Sequence, residues 1–100
     1  MKSNYCKISI YYPLEPTFRV DDSIEEYELD NYRLVLEQEF INDSQKSDIK
    51  LLDWYWSAGN SPLSGFRACL PRSLSVGDII VINDHAYICA SIGWNRITLK

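Results

Sequence analysis

From Tyr5 to Tyr12 the chain alternates, with Ile8, Ile10 and Tyr12 on one side of the backbone and Lys7, Ser9 and Tyr11 on the other. That period of two leaves one face of a β-strand against a core. Pro13 and Pro16 end the strand because neither has an amide proton to give to a ladder, and Thr17-Phe18-Arg19-Val20 is expected to resume an extended path. Ser23-Ile24-Glu25-Glu26 has the form of a capping box, so a helical turn is expected to begin there. One continuous helix from Ile24 to Ile41 does not fit. At about 100° per residue Leu29, Tyr32, Leu36 and Phe40 point one way while Ile24, Tyr27 and Leu34 point nearly opposite. A break near Asp30 resolves the conflict. Asp30 then serves as N-cap, Leu29 and Leu34 form a hydrophobic staple, and Tyr32, Val35, Leu36 and Phe40 make the stripe of a core-facing helix over about 31–41.

Residues 42–48 are polar and read as a loop, and the apolar and aromatic stretch 49–56 suits a strand. Residues 57–65, rich in Ser, Gly, Asn and Pro, form the clearest loop, long enough to be a place for contacts to a ligand or partner. Gly77-Asp78 precedes Ile79-Ile80-Val81-Ile82, and Asn83-Asp84 leads into His85-Ala86-Tyr87-Ile88-Cys89-Ala90, the pattern of a hairpin whose turn residues tolerate positive φ. Gly93 breaks the chain before a further strand over residues 94–99. The expectation is a single α+β domain over residues 1–100, an antiparallel sheet of about four to five strands with one main helix packed on it.

Composition narrows the function classes. With 100 residues, 46% hydrophobic and 24% charged, the chain has enough apolar material for one core and little left for a deep active site. No apolar run approaches the ~20 residues of a membrane span, and no apolar signal core follows Met1-Lys2-Ser3-Asn4, which points to a soluble cytoplasmic protein without a membrane partner. Cys6, Cys69 and Cys89 are odd in number and lack CxxC spacing, so packed reduced thiols are expected, without a disulfide framework or a cysteine-built zinc site. Charge is uneven. Residues 1–50 carry 11 acids against 6 bases, and residues 51–100 carry 3 against 4. Between Asp21 and Asp43 there are nine carboxylates and one base, Arg33, a stretch that repels nucleic-acid phosphates.

Arg72-Ser73-Leu74-Ser75-Val76-Gly77-Asp78-Ile79-Ile80-Val81, followed by Tyr87-Ile88-Cys89 and Gly93-Trp94, resembles the RSLSVGD-type signature, aromatic strand and Gly-aromatic pair of YodL-like domains. The likeness spans about residues 72–97, marks a C-terminal β-meander, and implies a bacterial, phage or plasmid origin; it carries over no catalytic residues. Read physically, Ser73 and Ser75 can bond nearby backbone, Gly77 can take a left-handed turn, and Asp78 can cap the amides before the strand. Asp78 as a metal or acid-base group would need a second carboxylate or histidine, and none is near in sequence.

No phosphate-cradling loop, nucleophile elbow or zinc helix is present, and the single histidine, His85, lies ~13 Å along a strand from Cys89. The catalytic, cofactor and metal sets are therefore expected to be empty. Thirteen per cent aromatic residues is the stronger signal, because Tyr and Trp beside Arg are what protein interfaces concentrate. Trp54 and Trp56 fall on one face of the expected strand and Tyr55 on the other; if the tryptophans fill the core, Tyr55, Arg67 and Trp94 are the surface candidates, with Arg72 and Arg96 as further cations. The expected function is non-enzymatic recognition of another protein in a bacterial or mobile-element setting. The alternative is an inhibitor of a bacterial defence nuclease of anti-CRISPR or anti-restriction type, acting through the acidic segment 21–43 with Glu25, Glu26 and Glu28. A homodimer through an exposed sheet edge, with residues 94–99 as the strand, is also open.

Overall fold

The alternating first segment forms β1 (Tyr5–Pro13), with Cys6, Ile8, Ile10 and Tyr12 buried on one face. The structure is a computed structural model and describes residues 5–16 and 19–100, so the extended path expected over Thr17 and Phe18 lies outside it. The remaining elements are β2 (Glu26–Tyr27), a 3-10 turn (Leu29–Asn31), β3 (Tyr32–Ile41), α1 (Asp48–Asn60), α2 (Gly65–Ala68), β4 (Ile79–Ile82), β5 (His85–Cys89) and β6 (Trp94–Leu99). They form an α+β domain whose strands run in the order β2-β6-β5-β4-β1-β3, antiparallel except for β2 beside β6.

The main helix is not where the 3.6-residue period placed it. Residues 32–41 are strand β3, and the helical stripe there is the product of a β-bulge. Ile10 faces Leu36 but Tyr11 faces Leu34, so Val35 has no partner and the alternation changes phase. Phe40, Gln38 and Leu36 lie opposite Cys6, Ile8 and Ile10 on the helix side, while Tyr32 joins the cluster on the other side. Pairing along all of β1 overrides the modest helix preference of Leu, Glu and Gln in this segment.

The expected strand 49–56 is instead the body of α1. Ser47 caps it by accepting from the Lys50 amide, and Leu51, Leu52, Tyr55 and Gly59 form the buried stripe. The expected loop 57–65 loses its start to α1, and α2 begins at its end, where Ser64 accepts from the Phe66 amide. The turn predicted at Ser23 is not helical, because the Ser23 amide and hydroxyl both bond the Asp21 carboxylate, while Glu26 extends into β2 and pairs with Lys100.

Helix α1 covers one face of the sheet over Cys6, Ile8, Ile10, Tyr12, Ile80 and Ile82. The other face gathers Ile79, Ala86, Ile88 and Ile97 with Tyr11, Val20, Tyr27 and Tyr32. Tyr27 and Tyr32 belong to opposite ends of the strand order, yet their rings meet at 6.4 Å, so the sheet curls until its ends approach over this second cluster. Residues 20–31 cross the concave side as a strap, held by Leu29 N–H donating to Lys100 and Leu14 N–H donating to Asn31. Strand β6 is consequently no open edge at its C-terminal half, because β2 pairs with Thr98 and Leu99. The long free edge is β3, blunted by its bulge and by Arg33, Glu37 and Glu39.

Candidate interaction surface

Strand alternation places His85 and Tyr87 on the helix side of β5, and the first turn of α1 starts directly over them. Asp48 Oδ2 accepts from the Tyr87 hydroxyl at 2.6 Å and pairs with His85 Nδ1 at 2.8 Å. Arg96, opposite Tyr87 on β6, lies 5.7 Å over the tyrosine ring. Burial alone raises the Asp48 pKa, but the bonds from Tyr87 and His85 with the charge of Arg96 outweigh it and hold the carboxyl below its ordinary value.

Cys6 and Cys89 are poorly disposed to act with this carboxylate-imidazole pair. Cys6 is buried, and desolvation together with the Asp48 charge pushes its pKa up. Cys89 is pushed up to about 11 by burial and by Asp78. A nucleophilic cysteine needs the opposite, a neighbourhood that favours thiolate. Cys69 is exposed, and its Sγ lies 3.5 Å from the Gly65 carbonyl. Among the described residues no group of three or more His, Cys, Asp or Glu side chains is placed to hold a metal ion.

Trp94 precedes Arg96 by two residues on the same face of β6, and its ring meets Trp56 of α1 edge to face at 6.3 Å. Trp56, Trp94, Arg96, Tyr87 and His85 thus follow the seam where the helix passes over β6 and β5. Trp54 is on another side of the helix, packed against Phe66 and Tyr55. Of the two orientations left open for this triplet, the tryptophans face outward, and Tyr55 is not the surface candidate it was expected to be. Tyr55 is 2% exposed and accepts a hydrogen bond from Gln38, whereas Trp54 and Trp56 are 48% and 38% exposed. A strand would separate Tyr55 from both tryptophans by parity; a helix turns residue 55 inward with Leu51 and Leu52, and leaves its neighbours at the rim.

The other sequence candidates fall in different places. Arg72 is engaged internally: its guanidinium makes a two-point pair with the fully buried Asp78 and lies 3.8 Å over the Tyr12 ring. Ser75 N–H also donates to Asp78, and Gly77 takes φ 96° to carry the chain into β4, so residues 72–78 form a structural latch. Arg67 donates to Ser73 Oγ and the Leu70 carbonyl, beneath the turn that follows α2. Glu25, Glu26 and Glu28 lie on or beside β2, which pairs with Thr98 and Leu99 at the C-terminal end of β6. Several acids of the 21–43 segment are occupied by the protein itself: Asp21 by Ser23, Asp22 by Asn95, Glu26 by Lys100 and Glu37 by Lys7. The residues that sequence reasoning missed are Asp48 and Tyr87. Period-two spacing links Tyr87 to His85, but nothing in the sequence brings Asp48 to them once its segment is taken for a strand.

The chain matches no protein-family model, no curated protein and no solved structure.

Proposed function

We propose that the protein is a non-enzymatic binding protein that recognises another protein through the seam of Trp56, Trp94, Arg96 and Tyr87. The observation that supports this reading is the meeting of the exposed Trp56 with the half-buried Trp94 at the edge of the core, with an exposed guanidinium two residues along the same strand face. Trp, Tyr and Arg carry most of the energy of protein interfaces, because each removes a large area from water while keeping a hydrogen-bonding end. The Asp48 anchor on Tyr87 and His85 fixes the far end of the seam, so less side-chain entropy is lost when a partner docks. A cytoplasmic setting is supported by three free thiols, and a bacterial or mobile-element origin by the likeness of residues 72–97 to YodL-like domains.

The test is quantitative capture of a partner from a bacterial lysate by the tagged protein, with Trp94→Ala combined with Arg96→Ala alongside. The partner retained by the unaltered protein is expected to be lost from the double variant, whose circular dichroism remains native. Equal retention by both proteins, or no retention by the unaltered protein at micromolar concentration, defeats the proposal.

A further inference from the structure

The strap over the concave side of the sheet stops short of the β4–β5 turn, leaving an open groove of about 550 Å³. Val81, Ala86, Ile97 and Leu99 form its floor, and Tyr11 and Leu29 wall it. Two carboxylates border it: Glu25, whose backbone carbonyl is tied to Thr98 N–H, and Asp84, in the turn where Asn83 takes φ 54°. Neither is in an ion pair among the described residues. The neighbouring cations are committed elsewhere, Lys7 to Glu37 and Lys100 to Glu26. Arg96 also borders the groove, but its guanidinium lies over Tyr87 on the helix face of the sheet. An apolar floor between unneutralised carboxylates matches a partner that presents apolar side chains flanked by positive charge.

We infer that this groove is a second docking surface, and that it takes a segment of a partner protein in which apolar residues alternate with Lys or Arg. Its apolar floor lies on the face of the sheet opposite the two tryptophans, although Arg96 borders both surfaces, and it does not depend on the role given to the seam. The carboxylates draw the basic segment in and set its register, while the partly exposed Val81 and Leu99, with the exposed Leu29 at the wall, receive its apolar side chains above the buried Ala86 and Ile97.

The experiment uses a fluorescent synthetic peptide of alternating Lys and Leu, with an alternating Glu and Leu peptide as its counterpart, and reads anisotropy against the full chain. The Lys-Leu peptide is expected to bind, and the Glu-Leu peptide to fail. Glu25→Lys with Asp84→Lys should weaken binding about tenfold or more, whereas the charge-matched pair Asp43→Lys with Asp53→Lys, outside the groove, should leave it within about threefold. Leu29→Ser, an exposed change at the wall, should weaken it without altering net charge. Equal losses in the two charge-matched pairs would reduce the effect to overall acidity and overturn the inference. Failure of the Lys-Leu peptide to bind, or its displacement by equimolar spermine, would overturn it as well.

Discussion

Arg72 and Asp78 face each other as a two-point ion pair at 2.7 and 2.8 Å, the carboxylate sealed from water and the guanidinium partly open to it. The two halves of this pair are unequal. Replacing Arg72 with Ala leaves the buried carboxylate with the Ser75 amide as its remaining partner among the described residues, and should cost about 3–5 kcal/mol. Replacing Asp78 with Ala frees a guanidinium that can turn to solvent, and should cost only about 1–3 kcal/mol. Urea unfolding midpoints check the order, which equal losses would contradict.

Tyr55 should behave as a core residue and as an alkaline sensor. Tyr55→Ala is expected to cost about 3–5 kcal/mol. Tyr55→Phe should cost about 1 kcal/mol through the lost Gln38 bond. At the exposed position 49 of the same helix, Ile49→Ala should stay within about 0.5 kcal/mol. Burial pushes the Tyr55 phenol up to about 12, with the Gln38 bond opposing. Because the unfolded chain ionises near ~10, the stability this shift contributes is present below that pH and is lost as pH climbs through the folded value. Spectroscopic titration of phenolate in wild type against Tyr55→Phe isolates the transition.

Two glycines should respond to alanine in opposite directions. At Gly59 a new Cβ would come within 2.8 Å of Leu74 Cδ1 and 3.4 Å of Leu70 Cδ1. Both leucines are buried, so overpacking of about 1–3 kcal/mol outweighs a helix-propensity gain of about 1 kcal/mol, and Gly59→Ala should destabilise. At Gly65 the space is open, and Gly65→Ala should stabilise by about 0.4–1 kcal/mol. Thermal denaturation of the two single variants reads the signs directly.

The Asp48 cluster sets an acid dependence. The folded carboxyl sits below its ordinary value because the Tyr87 and His85 bonds overcome the effect of burial, so its contribution is present above ~3.9 and is lost as pH falls through the lowered folded value. Tyr87→Phe should remove about 1 kcal/mol near neutrality. The gap between variant and wild type should narrow as the medium becomes acidic enough to protonate Asp48. A gap that stays constant down to that range would show that packing, rather than the carboxylate, carries the effect.

Where local pattern and tertiary demand agree, the fold was readable in advance. Ile8, Ile10 and Tyr12 needed only one buried face, and Asn83 supplied the left-handed residue that the β4–β5 hairpin requires. The α+β class therefore followed, although the helix was assigned to the wrong stretch. Val35 explains half of that exchange: an unpaired residue resets the side-chain phase, and Tyr32, Val35, Leu36 and Phe40 then imitate a helical stripe while serving different faces of a sheet. Residues 49–56 supply the other half, since their aromatic content suits a strand while Leu51, Leu52 and Tyr55 hold the actual buried spacing. The candidate surface was legible at Trp94 and Arg96 because β6 was placed correctly. It was not legible at Asp48 or at the orientation of Tyr55, both of which depend on the helix.

The position of β1 also bears on how the chain acquires its shape. This strand lies between β3 and β4, with Ile8 opposite Gln38 on one side and Ile82 on the other. A ribosome delivers residues 5–13 long before residue 82, so the nascent strand can meet its nearer neighbour early but must wait for the farther one with greasy surface uncovered. Such remote pairing slows two-state folding toward the millisecond-to-second range and exposes the waiting intermediate to aggregation. Chaperone occupancy during synthesis should therefore persist until the β4–β5 hairpin has emerged from the exit tunnel.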